Sequence, residues 1–316
     1  MTEILLRAPA TIANFGPGFD IFALALAGPH DYFRIRRSGE GSGAGRIRVR
    51  ITDGGDVLPT EPEKNTAGLA AIYFFKETGA RGGAEIEIIK KMPIGSGLGS
   101  SAASAVAAVF GLNRLYGTGL GETGIIEIAS RGEAASGGTP HADNAAACCL
   151  GGFIIVRDRQ PLRVDRLDAP AFPVVVRVRR KSLTTSRGLI PDHLPLARVK
   201  EQMAWCAAVV HAMATGDIKR IGQAVNRDHI SEPVRSSYIG GYAELKARAL
   251  AAGALGFNVC GGGSSVFAIC APGRAEKVAE VMRTSGEGGP AGEGGAPPHV
   301  FVTASSNTGI EKVDRL

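Results

Sequence analysis

The residues with the strongest claim to chemistry lie between Met92 and Asn113. That stretch reads Met-Pro-Ile-Gly-Ser-Gly-Leu-Gly-Ser-Ser-Ala-Ala-Ser before an Ala/Val-rich run. Gly95, Gly97 and Gly99 alternate in a short loop, after a strand-like run at 84–89 and before a segment of high helix propensity. Glycines take φ > 0 and leave backbone N–H groups open to a ligand. A helix N-terminus adds unpaired donors and about half a positive charge. Strand, glycine loop and helix start in this order suit a phosphate group. Ser100 and Ser101 fit the N-cap region, where a hydroxyl caps the helix or turns toward a metal ion. No Gly-Lys-Ser/Thr follows, and the spacing is not Gly-x-Gly-x-x-Gly, so backbone and hydroxyls would have to hold any phosphate. Taken alone, the loop fits a plain β–α turn equally well.

Other segments carry polar groups at short spacing. Residues 10–20 read Ala-Thr-Ile-Ala-Asn-Phe-Gly-Pro-Gly-Phe-Asp, with Thr11, Asn14 and Asp20 near a strand end. A plain turn with Asn14 in the left-handed region would also explain them. His141, Asp143 and Asn144 cluster within four residues. His141 and Asn144 share a face if a helix starts there; the bland alternative is a helix capped by Asp143 or Asn144. Residues 182–191 form a hydroxyl-rich loop around Arg187, and Arg235 lies in a segment without clear periodicity. Residues 255–270 read strand, Gly-rich turn, strand. Three glycines and two serines exceed what a hairpin needs, so another backbone must come close. Glu133, near a helix end, reads as a solvated side chain.

The elements that would position these groups follow from periodicity. Strands are expected at 4–8, 19–27, 31–37, 46–51, 84–89, 152–156, 174–178 and 300–304. Helices are expected at 65–77, capped by Asn65, and at 101–116, 122–135, 196–215, 217–226, 242–252 and 273–284. A turn is expected at 39–45, a polar boundary at 157–170, and a Gly/Pro-rich mobile loop at 285–298. The chain has 316 residues, 44% hydrophobic and 21% charged, which suits two packed domains. A net charge of +6 suits a phosphorylated small molecule as well as a nucleic acid. The basic residues are scattered and lack interleaved aromatics, which argues against a nucleic-acid partner. Five cysteines show no Cys-x-x-Cys pair and no His at ligand spacing, so they read as free thiols of a reducing cytoplasm. No apolar run approaches a membrane span and no leader is evident, so a cytoplasmic protein with no membrane partner is expected.

Three Gly-containing loops, at 8–20, 93–101 and 261–265, resemble in order and spacing those of the GHMP kinase superfamily. The loop Pro-x-Gly-x-Gly-Leu-Gly-Ser-Ser-Ala is its most specific mark. Within the superfamily the closer match is to homoserine kinases. It rests on residues 8–20, on His141-Ala-Asp-Asn144, similar to His-Pro-Asp-Asn, on Glu232-Pro-Val-Arg235, and on Ala252-Gly-Ala-Leu-Gly256 before the last loop. Ala142 in place of Pro, and Gly-Gly-Gly-Ser-Ser in place of Gly-Ala-Gly-Pro-Ser/Thr, depart from the pattern.

The resemblance implies an α+β, two-domain GHMP kinase fold. Its N-terminal domain, residues 1–165, would be ribosomal-protein-S5-domain-2-like with a left-handed βαβ unit, and residues 166–316 would form a ferredoxin-like C-terminal domain. It implies ATP-dependent phosphorylation of L-homoserine toward threonine, with Mg²⁺, in a homodimer. Pro93, Ile94, Gly95, Ser96, Gly97, Leu98, Gly99, Ser100, Ser101, Ala102 and Ala103 would wrap the triphosphate, and Asn65 would touch adenine or ribose. Ser101 and Glu133 would hold the metal, which replaces the solvated reading of Glu133. Asn14, Asp20, His141, Asn144, Arg187 and Arg235 would contact homoserine, with Asn144, Arg187, Glu133 and Ser101 serving the chemistry. Asp143 is expected to be structural. The alternatives are another GHMP kinase, of mevalonate or shikimate type, or a GHMP-fold protein that only binds a ligand.

Overall fold

A computed structural model of the chain describes residues 2–38, 46–53, 58–136, 141–178, 186–263, 265–284 and 298–316. The first half runs β1 (Glu3–Ala13), β2 (Phe22–Ser38), β3 (Ile47–Thr52), α1 (Thr66–Thr78) and β4 (Gly83–Ile89). It continues through α2 (Ser100–Tyr116), α3 (Glu122–Gly132), α4 (Ala142–Leu150), β5 (Phe153–Arg159) and β6 (Leu162–Leu167). The second half contains β7 (Pro173–Val178), α5 (Leu196–Thr215), α6 (Ile218–Val225), α7 (Glu232–Arg235) and α8 (Tyr242–Ala251). Then follow β8 (Ala254–Val259), β9 (Val266–Cys270), α9 (Ala275–Thr284), β10 (His299–Ala304) and β11 (Glu311–Lys312).

Two sheets organise the fold. The first has seven strands in the order β11-β1-β2-β4-β3, with β5 on β2 and β6 on β5. Its one parallel pair among the described residues, β3 with β4, is joined through α1 as a βαβ unit. The second sheet is antiparallel in the order β10-β7-β9-β8. With α5 and α6 before β8 and with α9 between β9 and β10, this is the expected ferredoxin-like arrangement. The GHMP kinase fold read from the sequence is the fold observed.

Several boundaries differ from expectation, for physical reasons. β1 runs on to Ala13, and the two strands expected at 19–27 and 31–37 are one 17-residue strand. The β1–β2 register slips between Pro9 and Thr11. Pro29 lies in that slip, where its missing N–H interrupts no regular ladder. The polar stretch 157–170 contains β6, so a division at residue 165 falls inside a strand of the first sheet. The tail returns to that sheet through a Leu26–Ser305 bridge and β11 on β1, a pairing that no periodicity announced. Arg7 and Glu311 pair across it. The turn at 39–45 and all but Pro298 of the segment 285–298 lie outside the described residues.

α2 is the core helix. Its Ala, Val, Gly and Leu side chains are buried on every side, against α1, α3, α4 and the first sheet. A helix apolar all round belongs inside, and small side chains let its neighbours come close. One cluster of buried side chains joins both sheets. Phe15 sits at the joint, with its ring 5.7 Å from Phe153 on β5 and stacked 5.7 Å from Phe267 on β9. A second cluster lies under α8 and α9 on the far face of the second sheet. All five cysteines are free, and only Cys206 is not fully buried. The Cys260 amide donates to the Ser265 carbonyl at 2.9 Å across the Gly-rich turn.

Phe15 therefore holds the first polar loop to both sheets. Phe15→Ala is expected to destabilise the protein by about 3–5 kcal/mol, the cost of a large unfilled aromatic site. Denaturant unfolding measures it, and a loss below about 1 kcal/mol would contradict the pinning role.

Candidate active site

The central loop is built by its surroundings. Gly95, Gly97 and Gly99 adopt φ of +71°, +78° and +72°, the left-handed region that glycine takes without strain. A Cβ on Gly97 would fall 2.5 Å from the Cys260 carbonyl oxygen, and one on Gly263 would fall 2.7 Å from the Gly97 nitrogen. The backbone that the Gly-rich turn at 261–263 was expected to approach is thus the central loop itself. The Thr11 amide donates to the Leu98 carbonyl at 3.0 Å and ties the loop to β1.

Below the loop lies a buried ion pair. Lys90 Nζ meets Asp31 Oδ2 at 2.7 Å, with both side chains almost wholly out of solvent. Asp31 Oδ1 accepts the amides of Lys91 and Met92, each at 2.8 Å. Lys90 Nζ also reaches Ser100 Oγ at 2.6 Å, the Ser100 carbonyl at 3.2 Å and Ser104 Oγ at 3.0 Å. Asp31 and Lys90 were missed in the sequence, where the loop was read as lacking a lysine. A lysine ending a strand and an aspartate in another are ordinary until the fold brings them together.

The serine caps differ from expectation. Gly99 occupies the N-cap of α2 and no side chain caps it. Ser100 donates instead to Asp31 Oδ2 at 2.7 Å. Ser101 Oγ is buried with no hydrogen-bond partner among the described residues, and it lines a cavity of about 820 Å³. That volume suits a nucleotide and a small acceptor together.

The same cavity is lined by Asn14, Asp20, Asn65, Glu133, His141, Asp143, Asn144 and Arg235, with Ile94, Gly95, Ser96, Gly97, Leu98, Gly99 and Ser100 of the loop. Residues far apart in sequence thus converge. Asn65 caps α1, accepting from the Ala67 and Gly68 amides at 3.0 and 3.3 Å, and donates to the Pro59 carbonyl. Its default capping reading holds, and its amide reaches a ligand only with what those bonds leave. Ala102 and Ala103 are buried off the cavity, and Pro93 lines a separate pocket with Lys91 and Phe301.

Asn14 and Asp20 adopt φ of +67° and +60°, and Phe15 between them +43°. Three strained non-glycine residues so close together mark a loop held by its surroundings. Asn14 Oδ1 accepts the Asp20 amide at 3.1 Å. The Asp20 carboxylate lies 3.7 Å from His141 Nδ1 and 3.6 Å from Arg159, which the sequence reading had not included. Thr11 donates to Asn144 Oδ1 at 2.7 Å, which turns the amide N–H₂ of Asn144 away from β1. His141 stands at the N-cap of α4, while Asp143 accepts the Asn144 amide at 2.7 Å, so neither Asp143 nor Asn144 is the cap. Arg235 donates to the Gly261 carbonyl at 2.7 Å and lies over the Phe19 ring. Glu232 anchors its short helix through Tyr242 and Lys246. Arg187 belongs to a 3-10 turn, Ser186–Leu189, whose Gly188 lines the cavity; the Arg187 side chain lies outside the described residues.

Glu133 lines the same cavity as Ser101, not the solvated surface. Burial, and then the Asp143 charge, push its carboxyl up to about 8. A carboxyl raised by burial and a like charge, in one cavity with a buried unbonded hydroxyl, is a place that a divalent cation would relieve. One carboxylate and one hydroxyl suit a hard ion that keeps waters and takes phosphate oxygens. Among the described residues no three His, Cys, Asp or Glu side chains gather as a metal cage.

The family pattern described as GHMP kinases N terminal domain matches residues 65–152, and GHMP kinases C terminal matches residues 209–288. The chain is 41% identical to a homoserine kinase of Methanopyrus kandleri, over 84% of this chain and 87% of that one. It is 38% identical to one of Natronomonas pharaonis, over 88% and 91%. The crystal structure of a homoserine kinase from Cytophaga hutchinsonii superposes with a TM-score of 0.86 at 33% identity, covering 99% of this chain and 98% of that one.

The raised Glu133 carboxyl sets a pH dependence in the ligand-free protein. Between the ordinary carboxylate range and about 8, the folded state keeps a proton that the unfolded state has lost. Stability therefore falls as pH rises through that window. Glu133→Gln removes the ionisation, so its melting temperature should gain on the parent's between pH 5 and pH 9, by roughly 2–4 °C per kcal/mol relieved. A difference constant across that range would contradict the assignment.

Proposed function

The chain belongs to the GHMP kinase family, and on that premise we propose that it transfers the γ-phosphoryl group of ATP to L-homoserine. The products are O-phospho-L-homoserine, on the way to threonine, and ADP. The observation that carries this reading is convergence. The glycine loop lines a cavity that Asn14, Asp20, His141, Asn144 and Arg235 also line.

The chemistry divides along the cavity. Loop amides 95–99 and the N-terminus of α2 take the phosphates. Ser101 and Glu133 would hold Mg²⁺, which would supply neutralisation of the phosphate charge. Asn65 lies on the wall toward the nucleoside. Homoserine is a zwitterion, so Asp20 pairs with its ammonium while Arg235 and Arg187 take its carboxylate by charge-assisted bonds. Asn14 and His141 fix Asp20 and the ammonium end. Asn144 orients the substrate hydroxyl. The hydroxyl oxygen bonds to the γ-phosphorus as the bond to the β,γ-bridging oxygen breaks, and the hydroxyl proton passes to phosphate oxygen and solvent. No phosphoenzyme forms. Positioning and charge neutralisation carry most such transfers, so no strong base is needed.

The two-domain division near residue 165, the cytoplasm and a homodimer belong to the same proposal, on the family resemblance. No helix among the described residues is long and apolar enough to cross a membrane.

A panel of homoserine, mevalonate, shikimate and galactose with Mg-ATP tests the reading. Homoserine is expected to be the substrate used. Preference for another alcohol would reassign the acceptor, and ligand binding with no phosphorylation would favour a binding protein. Asp143→Asn is expected to lower kcat by less than the ~10²–10⁴-fold that a general base contributes. A loss of ~10³-fold or more would make Asp143 a base.

A further inference from the structure

Two adjacent serines open α2, and their type does not say which one faces a ligand. The geometry separates them. Ser100 Oγ donates to Asp31 Oδ2 at 2.7 Å and accepts from Lys90 Nζ at 2.6 Å. Asp31 is full, with four donors on its two oxygens. The Lys90 ammonium has three protons and four oxygens within 3.2 Å. Lys90, Ser100 and Ser101 all line the cavity, but Ser101 Oγ, one residue on, is buried without such a bond.

We propose that Asp31 and Lys90 are positioning residues that hold Ser100 off the nucleotide, so that Ser101 alone presents its hydroxyl to the bound cation. This rests on the kinase reading only for the presence of a metal–nucleotide; it does not depend on which alcohol is phosphorylated. It also assigns Lys90 away from the phosphates. Its charge answers Asp31, and its other protons answer the start of α2. Asp31 sets the chain direction as well, because its second oxygen holds the Lys91 and Met92 amides where the strand turns into the loop.

A mere staple and a positioning pair predict different things. If the pair only stabilises, removing both charges together restores stability and binding alike. If it positions, stability returns but Ser100 is released and the metal site is not rebuilt. The experiment measures ADP affinity by calorimetry with and without Mg²⁺, beside thermal unfolding and the two KM values. Ser101→Ala is expected to lose the Mg²⁺-dependent gain in ADP affinity by tenfold or more. The loss at Ser100→Ala should be at least tenfold smaller. Asp31→Asn should lose the gain as Ser101→Ala does, with KM for the acceptor changed less than threefold. The double variant Asp31→Asn/Lys90→Met keeps the test open if Asp31→Asn does not fold. It should melt above Asp31→Asn yet still lack the gain. Equal losses at Ser100 and Ser101, or a double variant with the parent's Mg²⁺-dependent gain, would overturn the proposal. Loss of phosphorylation on every acceptor with this binding pattern intact would count against the kinase reading and leave the positioning role standing.

Discussion

The ion pair between Lys90 and Asp31 is the constraint on which the rest depends. Taking two charges out of water costs several kcal/mol each, and their attraction repays it only when every remaining proton and lone pair is bonded. Here that condition is met by the functional elements themselves. The carboxylate is completed by two amides at the mouth of the glycine loop and by the first serine of α2. The ammonium is completed by the same serine and by one a turn further on. The pair is stable only with the end of β4, the loop entrance and the start of α2 in one arrangement. Those are the elements that a phosphate-binding site needs fixed.

The second constraint is backbone contact without side chains. Gly97 and Gly263 lie so close that a methyl group on either would collide with the other loop. The first sheet carries one loop and the second sheet carries the other. The halves of the fold therefore meet at the cavity, which both loops line. The Gly261 carbonyl takes Arg235 at 2.7 Å and Asn14 at 3.5 Å, so two cavity-lining residues from different halves share one anchor. Phe15 fastens the same junction from the apolar side.

Much of this was legible in the sequence, and the exceptions share a cause. Alternating glycines, the polar set Thr11, Asn14 and Asp20, and the pair His141 and Asn144 stand out because their residue types are unusual for their surroundings. Each was placed on the cavity wall or bonded to it. The surplus of glycine at 261–263 correctly implied a close backbone. What stayed hidden depends on distant partners. Lys90 and Asp31 are 59 residues apart and individually unremarkable. Glu133 looked solvated because its turn is covered by α1 and α2, which lie far from it in sequence, and not by its own helix. Gly99 replaced the serines as N-cap because the Ser100 hydroxyl was claimed by a charge no local rule contains. The strand boundaries missed at β1, β2 and β11 were set by a register slip and by the returning tail, both of them long-range events.

The most direct test is a crystal structure with a non-hydrolysable ATP analogue, Mg²⁺ and homoserine bound together. The account predicts Lys90 still on Asp31, Ser100 still bonded to that pair, and Ser101 beside Glu133 at the cation. It also predicts homoserine held between Asp20 and Arg235. Lys90 swung onto the γ-phosphate, or Ser100 at the cation with Ser101 turned away, would contradict it.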